Sequence, residues 1–231
     1  MKEEAEAFIK SHKQELIKLF ADPDIYQPTT NPVSLFMAGS PGAGKTEVSK
    51  RLIEKFTDKP VRIDADEIRK IFPNYDGTNS HSFQSAATIG VNKLYDFVID
   101  NNLNMILDGT FAYSGALTNV QRSIDHKRKV EIYYLYQDPM IAWTFTKKRE
   151  EIEHRHVSEE VFIKAFLQSR INVNEAKSKF KEKIELHLII KNFSTGLEDL
   201  RLNIPNVDSY LDKVYTETEI LDLLKNEENT E

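Results

Sequence analysis

The chain has 231 residues and a mass of 26.7 kDa; 40% of its residues are hydrophobic and 29% charged, which suits one large α/β domain and excludes a disordered chain. Its net charge of −6 and pI of about 5.6 argue against nucleic acid as a partner, since nucleic-acid surfaces are usually basic. With no cysteine, disulfide and thiolate chemistry are excluded; with no apolar run near the ~20 residues that span a bilayer and no secretory apolar core at the N-terminus, a cytoplasmic protein with no membrane partner is expected.

Residues 3–20 place Ala5, Phe8, Ile9, Leu16 and Phe20 at roughly helical spacing and predict one amphipathic helix. The stretch ADPDIYQPTTNP, 21–32, carries three prolines and reads as a linker. Beyond it strands and helices alternate. The predicted strands are 33–38, 60–64, 103–107, 130–136 and 185–190; they are short, apolar and partly β-branched, as buried parallel strands are. The predicted helices are 45–56, 81–100, 113–127, 139–153 and 158–182. Asp138 offers a cap, and Pro139 the first position, for the fourth of these. Thr216 and Glu219 form a capping-box pattern before a last helix, and the tail KNEENTE is expected to fray. The alternation predicts fold class α/β: a parallel sheet with helices on both faces. Residues 1–30 read as an N-terminal helix and linker, and 31–231 as one domain with a C-terminal helical segment.

Between the first strand and the next helix lies GSPGAGKT: Gly39, Ser40, Pro41, Gly42, Ala43, Gly44, Lys45 and Thr46. The spacing G-x-x-x-x-G-K-[ST], with a strand before it and a helix after it, predicts a nucleoside-triphosphate site and makes the expected sheet P-loop NTPase/kinase-like. Glycines let successive N–H groups turn inward, and with the helix N-terminus they form an anion cradle. Lys45 is expected at the β- and γ-phosphates of ATP, and the Thr46 hydroxyl on Mg²⁺. Asp108 closes a predicted strand, where a carboxylate holds Mg²⁺ through water, and Thr110 follows two residues on.

The segment RIDADEIRK puts Asp64 and Asp66 at the end of the second strand and Arg69 one helical turn later. A carboxylate at that end, across from the loop, is where a small kinase holds its acceptor hydroxyl. Asp66 is expected to be the base, because it lies beyond the sheet; Asp64 reads as a helix cap. The charge-dense stretch 146–160 supplies Arg149 and Arg155, placed to meet the charge that develops during phosphoryl transfer. His154 and His156 lack a third ligand and read as surface residues. No guanine-reading N-K-x-D segment and no transporter signature is present, which favours a kinase over a switch or a mechanical ATPase.

The segments NPVSLFMAGSPGAGKTEVSKRLIEKF, IDADEIRKIFPNY and NMILDGTF together resemble the zeta toxin family, over about residues 31 to 175. These are P-loop kinases of toxin–antitoxin systems. The resemblance implies phosphorylation of a sugar hydroxyl of UDP-N-acetylglucosamine, with an antitoxin protein as a partner. It implies Lys45 and Thr46 as the loop lysine and metal-binding hydroxyl, Asp66 as catalytic base, and Asp108 and Thr110 as the strand-end pair. Arg149 and Arg155 would contact ATP phosphates, and Arg69 would lie on the acceptor side. One departure stands out: where some members carry a substrate-binding glutamate, this chain has Asn92, which keeps hydrogen bonding but loses the charge. Two other readings fit the same motifs. One is a polynucleotide or nucleoside kinase, which shares an Asp and an Arg three residues apart. The other is a nucleotide-binding partner protein, which would need no acceptor-side base.

Overall fold

The computed structural model describes residues 1–192 and 197–228. Among them are six strands: β1 (Val33–Ala38), β2 (Val61–Asp64), β3 (Met105–Asp108), β4 (Lys129–Tyr136), β5 (Glu185–Asn192) and β6 (Leu197–Arg201). They form one sheet in the order β2-β3-β1-β4-β5-β6. The first five run parallel, and β6 pairs antiparallel with β5. Side chains alternate across a strand, so an apolar run such as VSLFMA needs cover on both faces.

That cover comes from helices. In chain order these are α1 (Lys2–Ser11), α2 (Lys13–Phe20), α3 (Lys45–Ile53), α4 (Ala65–Arg69), α5 (Ser80–Asp100), α6 (Ala116–Asp125), α7 (Pro139–Glu153), α8 (Glu159–Phe180) and α9 (Glu217–Glu228). Phe36 and Ala38 join the larger core, with residues of α1, α2, α5, α6 and α8. Leu35 and Met37 join a smaller core on the other face, closed by Val48, Leu52 and Ile53 of α3. A third cluster of Trp143, Phe162, Phe166, Ile220 and Leu224 ties α7, α8 and α9 together. The α/β class with helices on both faces is therefore the observed one. Among the described residues no helix is long and apolar enough to cross a membrane.

Several boundaries differ from the sequence-based expectation. The single helix over 3–20 is two helices, broken at His12, whose backbone leaves the helical region (φ −102°, ψ 32°). The His12 ring engages the Phe8 carbonyl at 2.8 Å, and Ser11 Oγ donates to the Ala7 and Phe8 carbonyls at 3.0 Å. These side chains compete for helix hydrogen bonds where the chain turns. Both helices pack against the rest: Ile9 and Leu16 are fully buried in the larger core. β6 is a further strand; its polar stretch LEDLR lacks an apolar alternation because it is a sheet edge. α4 is a single turn launched by the Asp64 cap. α6 begins at Ala116 rather than 113, which leaves Tyr113 and Ser114 outside the helix. The tail is helical through Glu228, because the Thr216–Glu219 box forms and Ile220 and Leu224 are buried; residues 229–231 lie outside the described residues.

Candidate active site

Ligands of open parallel sheets bind beyond the carboxyl ends of the strands, where the chain departs to opposite sides. Here that point is the end of β1, flanked by β3 and β4. The loop Gly39–Thr46 leaves β1 and enters α3 at Lys45. Gly42 has φ 72°, and a Cβ there would collide with the Ala142 carbonyl oxygen; Gly39 has φ 131°, and a Cβ would collide with that of Leu135. Only glycine suits these two positions. The Gly39 N–H donates to the Thr110 carbonyl at 3.1 Å and ties the loop to the exit of β3. Lys45 folds back into the loop, its Nζ donating to the Ser40 carbonyl at 2.6 Å. Burial pushes the Lys45 ammonium down to about 8, with Asp108 opposing the shift and Arg149 adding to it. A desolvated ammonium short of negative charge, in an amide-lined turn, fits a polyphosphate.

Asp64 and Asp108 end adjacent strands and are register partners. Two carboxylates side by side repel, and Arg62 lies between them, two residues before Asp64 on the same face of β2. Its guanidinium donates to Asp64 Oδ2 at 2.5 Å and to Asp108 Oδ2 at 2.7 and 3.0 Å. Ser49 Oγ of α3 donates to the same Asp108 oxygen at 2.7 Å. The motifs do not single out Arg62 or Ser49. The available signal was a charged residue in an apolar strand, in phase with Asp64. Even so, burial, reinforced by Asp66 and Asp108, pushes Asp64 up to about 6. Asp64 caps α4, its Oδ1 accepting from the Asp66 N–H at 2.8 Å.

Asp66 stands clear of the sheet and gathers three arginines. Arg69, on the same short helix, bonds to Oδ1; Arg155 lies 2.5 Å and Arg149 3.3 Å from Oδ2. Arg69 is buried, and its other amino group donates to Gln84 of α5. Burial lowers the Arg69 pKa, with Asp66 opposing that shift. Arg149 comes from the last turns of α7, where it also pairs with Glu153 at 2.8 Å. Arg155 comes from the segment joining α7 to α8, just after His154 turns left-handed at φ 57°. His156 pairs with Glu150 at 2.6 Å, and no third ligand-type residue among the described residues completes a metal cluster there.

The loop, Asp66 and the arginines line one cleft of about 1460 Å³. Asp108 and Thr110 also line it, as does α5 through Gln84, Thr88, Asn92 and Asp96. The Thr110 hydroxyl oxygen accepts from the Ala112 N–H at 3.3 Å. The fold thus brings the sequence-predicted residues Lys45, Thr46, Asp66, Arg69, Asn92, Asp108, Thr110, Arg149 and Arg155 to a single cleft. Among the described residues no cluster of three or more His, Asp or Glu could hold a metal. Mg²⁺ beside a nucleotide needs none, since phosphates and water supply most of its oxygens. The Thr46 hydroxyl at the start of α3 and Asp108 at the end of β3 fit that role.

The zeta toxin family model matches residues 18–197. The chain belongs to the zeta toxin family. The match begins within α2 and ends at the first residue of β6, so it takes in the whole cleft wall from the loop to the arginine segment. The fold is similar to that of a chain of the PezAT chromosomal toxin–antitoxin system of the human pathogen Streptococcus pneumoniae. The TM-score is 0.66 at 15% identity, covering 96% of this chain and 94% of that one. It is also similar to a chain of the AvrRxo1-ORF1:AvrRxo1-ORF2 complex with ATP, with a TM-score of 0.62 at 14% identity, covering 96% and 78%. Identities this low show the shared fold and not a shared substrate. No curated protein sequence matches the chain.

Proposed function

We propose that this zeta toxin family member is an ATP-dependent kinase that phosphorylates a sugar hydroxyl of a UDP-linked amino sugar, with UDP-N-acetylglucosamine as the first candidate. The observation that carries the reading is Asp66: a carboxylate in the same cleft as the phosphate loop, met by three arginines. A nucleotide-binding module needs no such carboxylate. The AvrRxo1 neighbour with ATP supports ATP as the donor, and the PezAT neighbour, from a toxin–antitoxin system, supports an antitoxin as a partner.

In this reading the loop amides and Lys45 bind the β- and γ-phosphates, and the added negative charge restores Lys45 to its full cationic form. Thr46 and Asp108 would hold Mg²⁺ beside the phosphates. When bound, Mg²⁺ neutralises phosphate charge. Asp66 aligns the acceptor hydroxyl and accepts its proton as the oxygen bonds to the γ-phosphorus. The bond from that phosphorus to the bridging oxygen breaks, and ADP leaves with the electron pair. Arg149 and Arg155 move from Asp66 to the transferring phosphoryl group, which frees Asp66 to act as a base and meets the charge on the equatorial oxygens. Arg69 stays buried on Asp66 and Gln84 and fixes the position of the base. Asn92 and Thr110 contact the acceptor.

The test is mass spectrometry of UDP-N-acetylglucosamine incubated with protein, ATP and Mg²⁺. A single added phosphoryl group is expected. Asp66→Asn should keep ATP binding and lower the transfer rate by roughly 10²–10⁴-fold, and Lys45→Ala should lose both transfer and tight ATP binding. An unmodified sugar nucleotide together with a phosphorylated oligonucleotide or nucleoside would replace the acceptor and keep the kinase. Near-normal transfer by Lys45→Ala would remove the whole reading.

A further inference from the structure

Arg62 stands in a strand, VRID, whose other three residues are buried, and its own side chain is only 17% exposed. A buried charge is costly, so packing alone would favour an aliphatic residue at that position. Asp64 and Asp108 line the cleft, whereas Arg62 lies behind them, outside the lining. Among the described residues every hydrogen bond to Asp108 ends on Oδ2: from Arg62 Nη2 at 2.7 Å, Arg62 Nε at 3.0 Å and Ser49 Oγ at 2.7 Å. A carboxylate oxygen has about two lone pairs, so Oδ2 is saturated and only Oδ1 is left to accept anything further. On Asp64, Oδ1 accepts from the Asp66 N–H at 2.8 Å and Oδ2 from Arg62 at 2.5 Å. Burial works against the Arg62 charge, but Asp108 and Asp64 outweigh it and raise its pKa. One permanent cation therefore bridges the two carboxylates from behind. Adjacent carboxylates with a cation between them are also how proteins hold divalent metals.

We propose that Arg62 is a resident cation: it occupies the oxygens of Asp64 and Asp108 that would otherwise capture a free divalent metal, so that metal enters the site only with the phosphates of the nucleotide. The inference rests on the kinase reading above and deepens it, by naming what controls metal entry. Arg62 touches neither nucleotide nor acceptor and is a positioning residue. It leaves Asp108 one free oxygen, too few to hold a divalent ion without phosphate oxygens. A metal caught between the two carboxylates would also compete for the Asp64 side chain that caps α4, whose first turn carries Asp66.

The test is a titration with Mn²⁺, whose free and bound forms differ in electron paramagnetic resonance, carried out without nucleotide and well above the carboxylate pKa range. Arg62→Gln is expected to bind one ion roughly tenfold or more tightly than the unaltered protein, because its carboxylate pair has lost the built-in counter-charge. Arg62→Lys keeps a cation and should stay close to the unaltered protein. Adding Asp64→Asn to Arg62→Gln should abolish the gained ion. A merely structural Arg62 would cost stability on substitution but would create no metal binding. Thermal unfolding gives a second reading: Mn²⁺ alone should raise the Tm of Arg62→Gln and leave that of the unaltered protein unchanged. If Arg62→Gln does not fold by itself, Mn²⁺ should restore its folding. Equal nucleotide-free binding by the unaltered protein and Arg62→Gln, or an Arg62→Gln that neither binds Mn²⁺ nor folds with it, would overturn the inference. The titration is then repeated with a non-hydrolysable ATP analogue, where the unaltered protein is expected to bind Mn²⁺. If it binds none, the kinase reading fails, while the nucleotide-free comparison still decides whether Arg62 excludes metal.

Discussion

Between Asp64 and Asp66 the backbone leaves a strand and starts a helix, and two identical carboxylates end in different surroundings. Asp64 is buried, spends one oxygen on capping α4, and shares Arg62 with Asp108. Asp66 is more open and faces the guanidinium groups of three arginines. The placement of Asp66 outside the sheet was legible in the sequence, because a strand that ends in Asp followed by a helical run predicts a cap at the first carboxylate. The role of Arg62 was not legible. It depends on β2 and β3 pairing in a register that sets Asp64 beside Asp108, which no local pattern encodes. The raised pKa of Asp64 has a consequence for stability. In the unfolded chain this group ionises near 3.8, and in the folded protein near 6. Between those values the folded state holds the proton more tightly, so stability falls as pH rises through the window, and the loss is complete above it. Asp64→Asn keeps a good cap and removes the titration. Urea midpoints of the variant should therefore move in its favour, relative to the unaltered protein, as pH rises from about 4 to about 7. A difference that stays constant across that range would mean that Asp64 ionises normally in the fold.

Elements differ in how clearly they announce themselves. The unit of β1, loop and α3 was readable because glycine spacing, an apolar strand and a lysine at the end of the loop agree within one short segment. α7 was readable from Asp138, whose Oδ1 does accept from the Met140 and Ile141 N–H groups at 2.9 and 3.3 Å. β6 and the break at His12 were not readable. An edge strand carries no buried alternation, and the break comes where serine and histidine side chains engage the Phe8 carbonyl. What the break achieves is packing: α1 and α2 each lay an apolar stripe on α5. Ile9 is fully buried, and its side chain lies 3.4 Å from where a Cβ on Gly90 would stand. A larger residue at Gly90 would also press on Ile68, whose Cγ2 would lie at 2.8 Å. Ile9→Ala should thus cost about 2–5 kcal/mol of unfolding free energy, as large-to-small changes in a packed core do. A loss below about 1 kcal/mol, measured by denaturant unfolding, would mean that α1 docks loosely and that the N-terminal helices are an appendage.

The whole molecule is acidic, and its cleft sets Lys45, Arg69, Arg122, Arg149 and Arg155 among carboxylates that include Asp64, Asp66, Asp96 and Asp108. Net charge governs solubility and distant partners, whereas a cleft with low-dielectric walls focuses its own local field. The pI therefore argues against a nucleic-acid surface without arguing against small anions. The cationic groups reach the cleft from α3, α4, α6 and α7 and from the segment after α7, so the site exists only when the sheet is complete. Asp66 is the point where Arg149 and Arg155, on the segment 148–158 that would act as a lid, meet the side of the cleft proposed to hold the acceptor, and this gives the cleft a mechanical property. Without nucleotide, the Asp66 carboxylate holds the end of α7 and the segment after it through Arg149 and Arg155. In the proposed mechanism, nucleotide phosphates take over those two arginines. Asp66→Asn should therefore speed amide hydrogen exchange across residues 148–158 in the nucleotide-free protein, because the neutral amide holds guanidinium groups less strongly. Saturating ATP should erase the difference between variant and unaltered protein, since the phosphates then hold the arginines in both. Exchange that is the same in both proteins without ATP would show that Asp66 does not hold the lid. A difference that persists with ATP would show that Arg149 and Arg155 stay on Asp66 and never reach the phosphates.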